Sequence, residues 1–195
     1  MSSIANFEAA QKLVTQPGSL LEVGQVDVAG QSLLGYVNAP GSVRDLWLLA
    51  TGHGDAEYMV YLDERMSYSD AAAQVAGFAN WLQAQGIGEG DRVAIAMRNY
   101  PEWMLAHWAI NSIGAVVVGL NAWWVADEMA YALEDSKPKI LVADDRRLTT
   151  FAEISARFPD LNLVSVRTDA PALPDNLAGC GGDRRRAARG QYRPR

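Results

Sequence analysis

Few residues in this 195-residue sequence have the type and spacing to do chemistry. His53 lies in "TGHGD" (51–55) and His107 in "WMLAHWAINS" (103–112), and these are the two histidines. A catalytic histidine needs a nucleophile to serve, and no G-x-S-x-G motif accompanies either one. "TGHGD" therefore reads as a loop, and His107 as a satisfied core histidine. Cys180 is the one cysteine. It cannot form an internal disulfide, and one thiol with two imidazoles cannot supply a Cys/His metal set. "GIGEG" (86–90) evokes the dinucleotide fingerprint G-x-G-x-x-G, but Asp91 stands where the third glycine must be. It also falls between a helix and a strand, the reverse of the order that cradles phosphate, so it reads as a helix-ending turn.

Two further pairs are candidates. Asp144-Asp145 closes "KILVAD" and continues it, at a strand's carboxyl end where open α/β sheets place ligands. An aspartate there is also a common helix cap, which is the preferred reading. Trp123-Trp124 stands at a second such end and is the candidate substrate pocket. The two indoles either wall an apolar pocket or pack between helices, and both readings stay open. The sequence has no G-x-x-x-x-G-K-[ST] loop and no closely spaced carboxylate cluster for a metal.

These positions depend on an alternating scaffold. From residue 92 the order reads "RVAIAM" strand, helix about 101–113, "AVVVGL" strand, helix about 126–136, "KILVAD" strand, a helix marked by Leu148, Phe151, Ile154 and Phe158, and "NLVSVR" strand. Pro101 suits a first helical turn, Gly114 and Pro138 suit helix ends, and the Val-rich 115–120 run reads as a buried strand. Alternation of this kind implies an open, mostly parallel sheet flanked by helices, an α/β fold. Upstream, a short helix near 5–14 is followed by loops, then a helix over 43–51. "YMVYLDERMSY" (58–68) suggests an antiparallel hairpin turning at Asp63-Glu64. Ser67 and Asp70 have capping-box spacing ahead of Val75, Phe78, Ala79 and Leu82, one apolar helical face.

The same scaffold explains why no charged residue lies between Glu102 and Asp127. A membrane span needs about 20 residues of one helical period, and this run changes period at Gly114. Buried parallel strands and their covering helices lack charges for the same reason a span does. No membrane span is expected. The opening "MSSIANFEAAQK" lacks a basic start followed by an apolar stretch, so a cytoplasmic chain is expected. With 49% apolar and 21% charged residues the chain can build a core. Residues 1–183 hold eleven Lys+Arg against 23 Asp+Glu, an acidic body that argues against nucleic acid as ligand. The sequence divides into an irregular lead (1–42), an α/β portion (43–170) and an irregular Arg-rich tail (171–195).

As text, the middle of the chain resembles the opening segment of the adenylate-forming (AMP-binding) superfamily of acyl-CoA synthetases, aryl-CoA ligases and peptide-synthetase adenylation domains. The resemblance is carried by "MSYSD", "GIGEGDRVAIAMRNYPEW", "IGAVVVGLNAWWVADEMAYAL" and "DSKPKILVAD", in consistent order across about residues 43 to 167. The "LNAWW" form looks most like fatty-acid–CoA ligases. The resemblance implies ATP, Mg2+ and coenzyme A as co-substrates. A carboxylic acid, here a fatty acid, attacks the α-phosphate of Mg·ATP and expels pyrophosphate. Coenzyme A then displaces AMP to form the thioester. The family's Ser/Thr/Gly-rich phosphate loop ending in Pro-Lys-Gly, its ribose-binding Tyr/Thr-Gly-Asp motif and its late lysine are missing from these 195 residues. No catalytic residue can therefore be carried over. The expectation is an amino-terminal fragment, inactive alone, whose partner is a separately encoded downstream half.

The tail "AGCGGDRRRAARGQYRPR" (178–195) holds six Arg and no acid after Asp183. Ala, Gly, Arg and Pro dominate it, as they do in a GC-rich gene read out of frame; the alternative is a basic arm for nucleic acid or anionic lipid. Two rival functions follow: a noncatalytic acyl- or partner-binding module of the same fold, and a basic-tailed nucleic-acid binder.

Overall fold

The computed structural model describes residues 3–168, and the chain divides into two compact units, Met1–Leu46 and Trp47–Arg195. Cys180 and the Arg-rich tail lie outside the described residues. The first unit holds α1 (Ser3–Thr15) and an antiparallel hairpin of β1 (Val23–Val28) and β2 (Gln31–Tyr36). Loops are the sequence expectation for this stretch, and the hairpin corrects it. Its turn residues Ala29 and Gly30 both have left-handed φ, 52° and 79°, as a two-residue hairpin turn of matching twist requires. Asp27 Oδ1 accepts from the Gly30 N–H at 3.1 Å. An alanine in place of the usual Asn or Asp hides the turn signal.

The helix α2 (Val43–Thr51) runs across the division and carries the buried Trp47 in the second unit. There β3 (Glu57–Tyr61) and β4 (Glu64–Ser67) form the expected hairpin, its turn at Leu62-Asp63, one residue earlier than expected. The capping box opens α3 (Tyr68–Ala84): the Asp70 N–H donates to Ser67 Oγ at 3.1 Å, and the Ser67 N–H donates to Asp70 Oδ2 at 3.3 Å. Each orphan amide of the first turn that finds a side-chain oxygen is worth about 1 kcal/mol.

The parallel sheet is built from β5 (Arg92–Ala96), β6 (Val116–Gly119), β7 (Ile140–Asp144) and β8 (Asn162–Val166), in the order β6-β5-β7-β8. Its connections are α4 (Pro101–Ser112), α5 (Ala126–Ser136) and α6 (Asp145–Ala152). Strand alternation splits the core. Val93 and Ile95 join a layer with Val75 and Leu82 of α3 and Leu105 and Ile110 of α4, while Ala94 and Ala96 face Met129, Leu133, Leu148 and Phe151 of α5 and α6. The charge-free run resolves into α4 and β6, separated at Gly114 with φ 74°. Among the described residues, no helix is long and apolar enough to cross a membrane.

Two sequence expectations are corrected in this unit. The Val-rich β6 is an edge strand, with Val116 46% exposed, rather than a buried one. The helix expected through Phe158 ends at Ala152, and a single 3-10 turn at Ser155–Arg157 brings Phe158 back against the core.

Candidate functional site

The strand order creates a switch point. From β5 the chain steps outward to β6, then crosses back to β7 on the other side of β5. The helices that follow β5 and β7 pack on opposite faces of the sheet, and at such switch points open α/β sheets place ligands, outside the carboxyl ends of the strands. Asp144, the last residue of β7, is buried at this strand end, 4% exposed. It caps α6, its Oδ1 accepting from the Arg147 N–H at 3.1 Å. Its Oδ2 accepts from the Arg98 N–H, just past β5, at 3.0 Å. The Arg147 guanidinium, also 4% exposed, reaches back to both carboxylate oxygens, with Nη1 at 3.3 and 3.2 Å.

Arg147 also ties down the loop after β6. Its Nε donates to the Ala122 carbonyl at 2.8 Å, and its Nη2 donates to the same oxygen. Trp123 and Trp124 follow directly. Trp123 is 68% exposed, and the Arg98 guanidinium stacks on its ring 4.0 Å from the centroid. Trp124 is half-buried against the α5–α6 layer. Both indoles line a cleft of about 230 Å³ together with Arg146, Arg147, Thr150 and Glu153. Of the two rings, Trp124 packs against the core layer and Trp123 faces out. Asp144 is the expected cap, with two further partners that sequence alone did not reveal.

A second, more apolar groove of about 510 Å³ lies between β3 and the start of α4, walled by Tyr58, Tyr61, Tyr100, Trp103 and Met104. Arg167, just after β8, closes one end of this region. It makes paired hydrogen bonds to Glu64 at 2.9 and 2.7 Å and to Glu102 at 2.9 Å on both oxygens. Its guanidinium also lies 5.0 Å from the Tyr61 ring centroid and 5.2 Å from that of Tyr100. These carboxylates, Glu64 first, hold Arg167 more firmly in its charged form than usual. At Tyr58 burial pushes the hydroxyl up, against the opposing effect of the Trp108 Nε1–H donated to it at 2.7 Å.

Both histidines pack against aromatic rings. His53 packs its ring 5.0 Å from Tyr68. His107 stacks on Trp103 at 5.5 Å and meets Trp108 edge-on at 5.3 Å. Its Nδ1 is buried with no hydrogen-bond partner among the described residues, which corrects the reading of a satisfied histidine. Among the described residues no group of three or more His, Cys, Asp or Glu could hold a metal ion.

The sequence segments that form this sheet and its loops match the AMP-binding enzyme family over residues 47–187. The chain belongs to that family. Its relatives include a 3-hydroxybenzoate–CoA/4-hydroxybenzoate–CoA ligase of Thauera aromatica, 31% identical over 67% of this chain and 25% of that protein. The medium/long-chain-fatty-acid–CoA ligase FadD6 of Mycobacterium tuberculosis is 33% identical over 64% of this chain and 21% of that protein. Among solved structures, the N-terminal domain of FACL13 from M. tuberculosis superposes with a TM-score of 0.59 at 26% identity, covering 71% of this chain and 35% of that domain. The chain spans about a quarter of the length of these curated relatives. The AMP-binding segment described here is thus a four-stranded part of a larger adenylate-forming architecture. Its Asp144–Arg147 pair, three residues apart across a helix cap, was within reach of sequence reasoning. The Arg167 contacts to Glu64 and Glu102 were not, being 103 and 65 residues apart.

Proposed function

We propose that this chain supplies the amino-terminal, sheet-bearing part of a fatty-acid–CoA ligase. In that reaction a fatty acid is activated by ATP as its acyl adenylate and passed to the thiol of coenzyme A, with pyrophosphate and then AMP leaving. Membership of the AMP-binding family over residues 47–187 carries the reading. The likeness to a fatty-acid–CoA ligase and the "LNAWW" segment support the choice of acid, and a hydroxybenzoate ligase of similar identity defines the competing one. Because the 195 residues hold no Ser/Thr/Gly-rich loop ending in Pro-Lys-Gly, adenylate formation is proposed to require residues beyond these, such as a separately encoded downstream half. Donors preorganised around the reacting α-phosphate supply most of the acceleration in such reactions, and the phosphate loop is proposed to provide them. The protein is assigned to the cytoplasm.

The Trp123–Trp124 cleft is assigned to ligand binding within this reaction. An exposed Arg146, two indoles and the Thr150 hydroxyl suit a phosphorylated aromatic group better than an alkyl chain, so the cleft is assigned to the nucleotide end of coenzyme A. The test of the activity is ATP–pyrophosphate exchange with dodecanoate, benzoate and 3-hydroxybenzoate, using the chain purified from a host without its own ligases. The expected result is no exchange by residues 1–195 alone, and exchange with dodecanoate once a polypeptide bearing the phosphate loop is added. Exchange by the chain alone overturns the division of labour, and exchange with the aryl acids only overturns the fatty-acid assignment.

A further inference from the structure

We propose that Asp144 and Arg147 are positioning residues that hold the Arg98–Trp123 stack at the mouth of the cleft, and thereby set what the cleft accepts. The second half of this statement rests on the ligand reading of the cleft given above; the first half does not. The observation behind it is that both members of the stack, an exposed Trp123 and a half-buried Arg98, are anchored on one buried ion pair. Trp123 is 68% exposed, so packing does not fix its ring. Its chain is held instead through the neighbouring Ala122 carbonyl, which takes Arg147 Nε at 2.8 Å and Nη2. Arg98 is held through its own backbone N–H, on Asp144 Oδ2 at 3.0 Å. The pair itself is closed by Arg147 Nη1 on Asp144 at 3.2 Å.

The local bonds of the loop do not replace this anchor. Asn121 Oδ1 accepts from the Trp123 N–H at 2.9 Å, and Glu128 Oε2 accepts from the Val125 N–H at 3.0 Å. Both close short turns within the loop and its following helix, and neither reaches the end of β5 or β7. Stability alone gives little reason for the pair. Burying two charges costs desolvation that an apolar pair of the same volume avoids, so a buried pair is weak evidence for stability and better evidence for a fixed geometry. The guanidinium fork is suited to this, because its planar donors reach a carboxylate and a carbonyl at once, which the point charge of lysine does not.

The experiment uses chain 1–195 with Arg147→Met, which keeps length and packing, and Arg147→Lys, which keeps the charge without the fork. Each is made with and without Trp123→Phe, so that the difference isolates the Trp123 signal. Acrylamide quenching of Trp123 is expected to rise by about a third in both variants, within the headroom left to a ring already 68% exposed, while the other five tryptophans and the far-ultraviolet circular dichroism stay as in the parent. Trp123 quenching equal to the parent in Arg147→Lys overturns the proposal, even if Arg147→Met fails to fold. Titration with adenosine 3′,5′-bisphosphate is the second arm, with a tenfold or greater loss of affinity expected in both variants. Parent protein that does not bind this probe overturns the cleft reading and the claim about what the cleft accepts, while the quenching result still decides the positioning role.

Discussion

The buried Nδ1 of His107 has no hydrogen-bond partner among the described residues, and burial holds its pKa below the ordinary histidine value. A depressed histidine favours the neutral ring in the folded state. Its contribution is fully present above the unfolded value of about 6.5 and is lost as pH falls through the folded value, because the unfolded chain takes the proton first. The melting temperature is therefore expected to drop between pH 7 and pH 5, and by less in His107→Gln; equal drops in the two proteins would rule His107 out as the cause. The neighbouring indoles make a second residue-scale comparison. Trp124 is half-buried against the α5–α6 layer and Trp123 is largely exposed. Trp124→Ala is expected to cost about 2 kcal/mol and Trp123→Ala less than about 0.5 kcal/mol in chemical denaturation, since only the first opens a core surface. Equal losses would contradict the placement of the two rings.

At the scale of elements, the ends of the helices carry the testable strain. α5 stops at Lys137, whose φ of 47° and ψ of 58° are left-handed, with its N–H donated to the Leu133 carbonyl at 2.9 Å. A side chain with a Cβ pays for that conformation, so Lys137→Gly is expected to raise stability by about 0.5–1 kcal/mol in urea denaturation. No gain, or a loss, would show that the lysine stem contributes contacts of its own. Gly114 shows the opposite case. It sits at φ 74°, and an added Cβ would lie 3.3 Å from Glu89 Cβ and Cγ. Gly88 has open space around it and no left-handed φ. Gly114→Ala is expected to cost about 1–2 kcal/mol and Gly88→Ala close to none, read from paired denaturation curves. A reversed order would remove Gly114 as the point where helix gives way to strand.

At the scale of the molecule, β6 and β8 each pair on one edge only among the described residues, which leaves both edges of the parallel sheet open there. Exposed apolar side chains add to this, among them Leu62 at 78% and Val125 at 62% exposure, as does the aromatic groove of Tyr58, Tyr61, Tyr100 and Trp103. Apolar patches and unpaired strand edges bind hydrophobic dyes and other chains. The folded chain is expected to enhance anilinonaphthalene sulfonate fluorescence several-fold over a well-packed globular control of similar size, with its circular dichroism intact. Fluorescence at the control's level would mean that these surfaces are covered in solution.

Much of this architecture was legible in the order of residues because its signals are local. Ser67 and Asp70 stand three apart at a helix start, Pro101 opens α4, Gly114 divides helix from strand, and Val-rich runs alternate with helical periods. Each acts within a few residues, so spacing alone reveals it. The first hairpin escaped because Ala29 replaces the residue that advertises such turns, and the helix expected through Phe158 escaped because its apolar spacing continues past the real end at Ala152. The edge position of β6 was hidden for a deeper reason: Val116, Val117 and Val118 satisfy strand propensity equally well in the middle or at the margin, and only the return of the chain across β5 puts them outside. The same crossing brings Arg98, Ala122, Asp144 and Arg147 together from the ends of three strands and one helix. Beyond the Asp144–Arg147 pair at its helix cap, their spacing along the chain carries no trace of it, because distances across a sheet are decided by strand order.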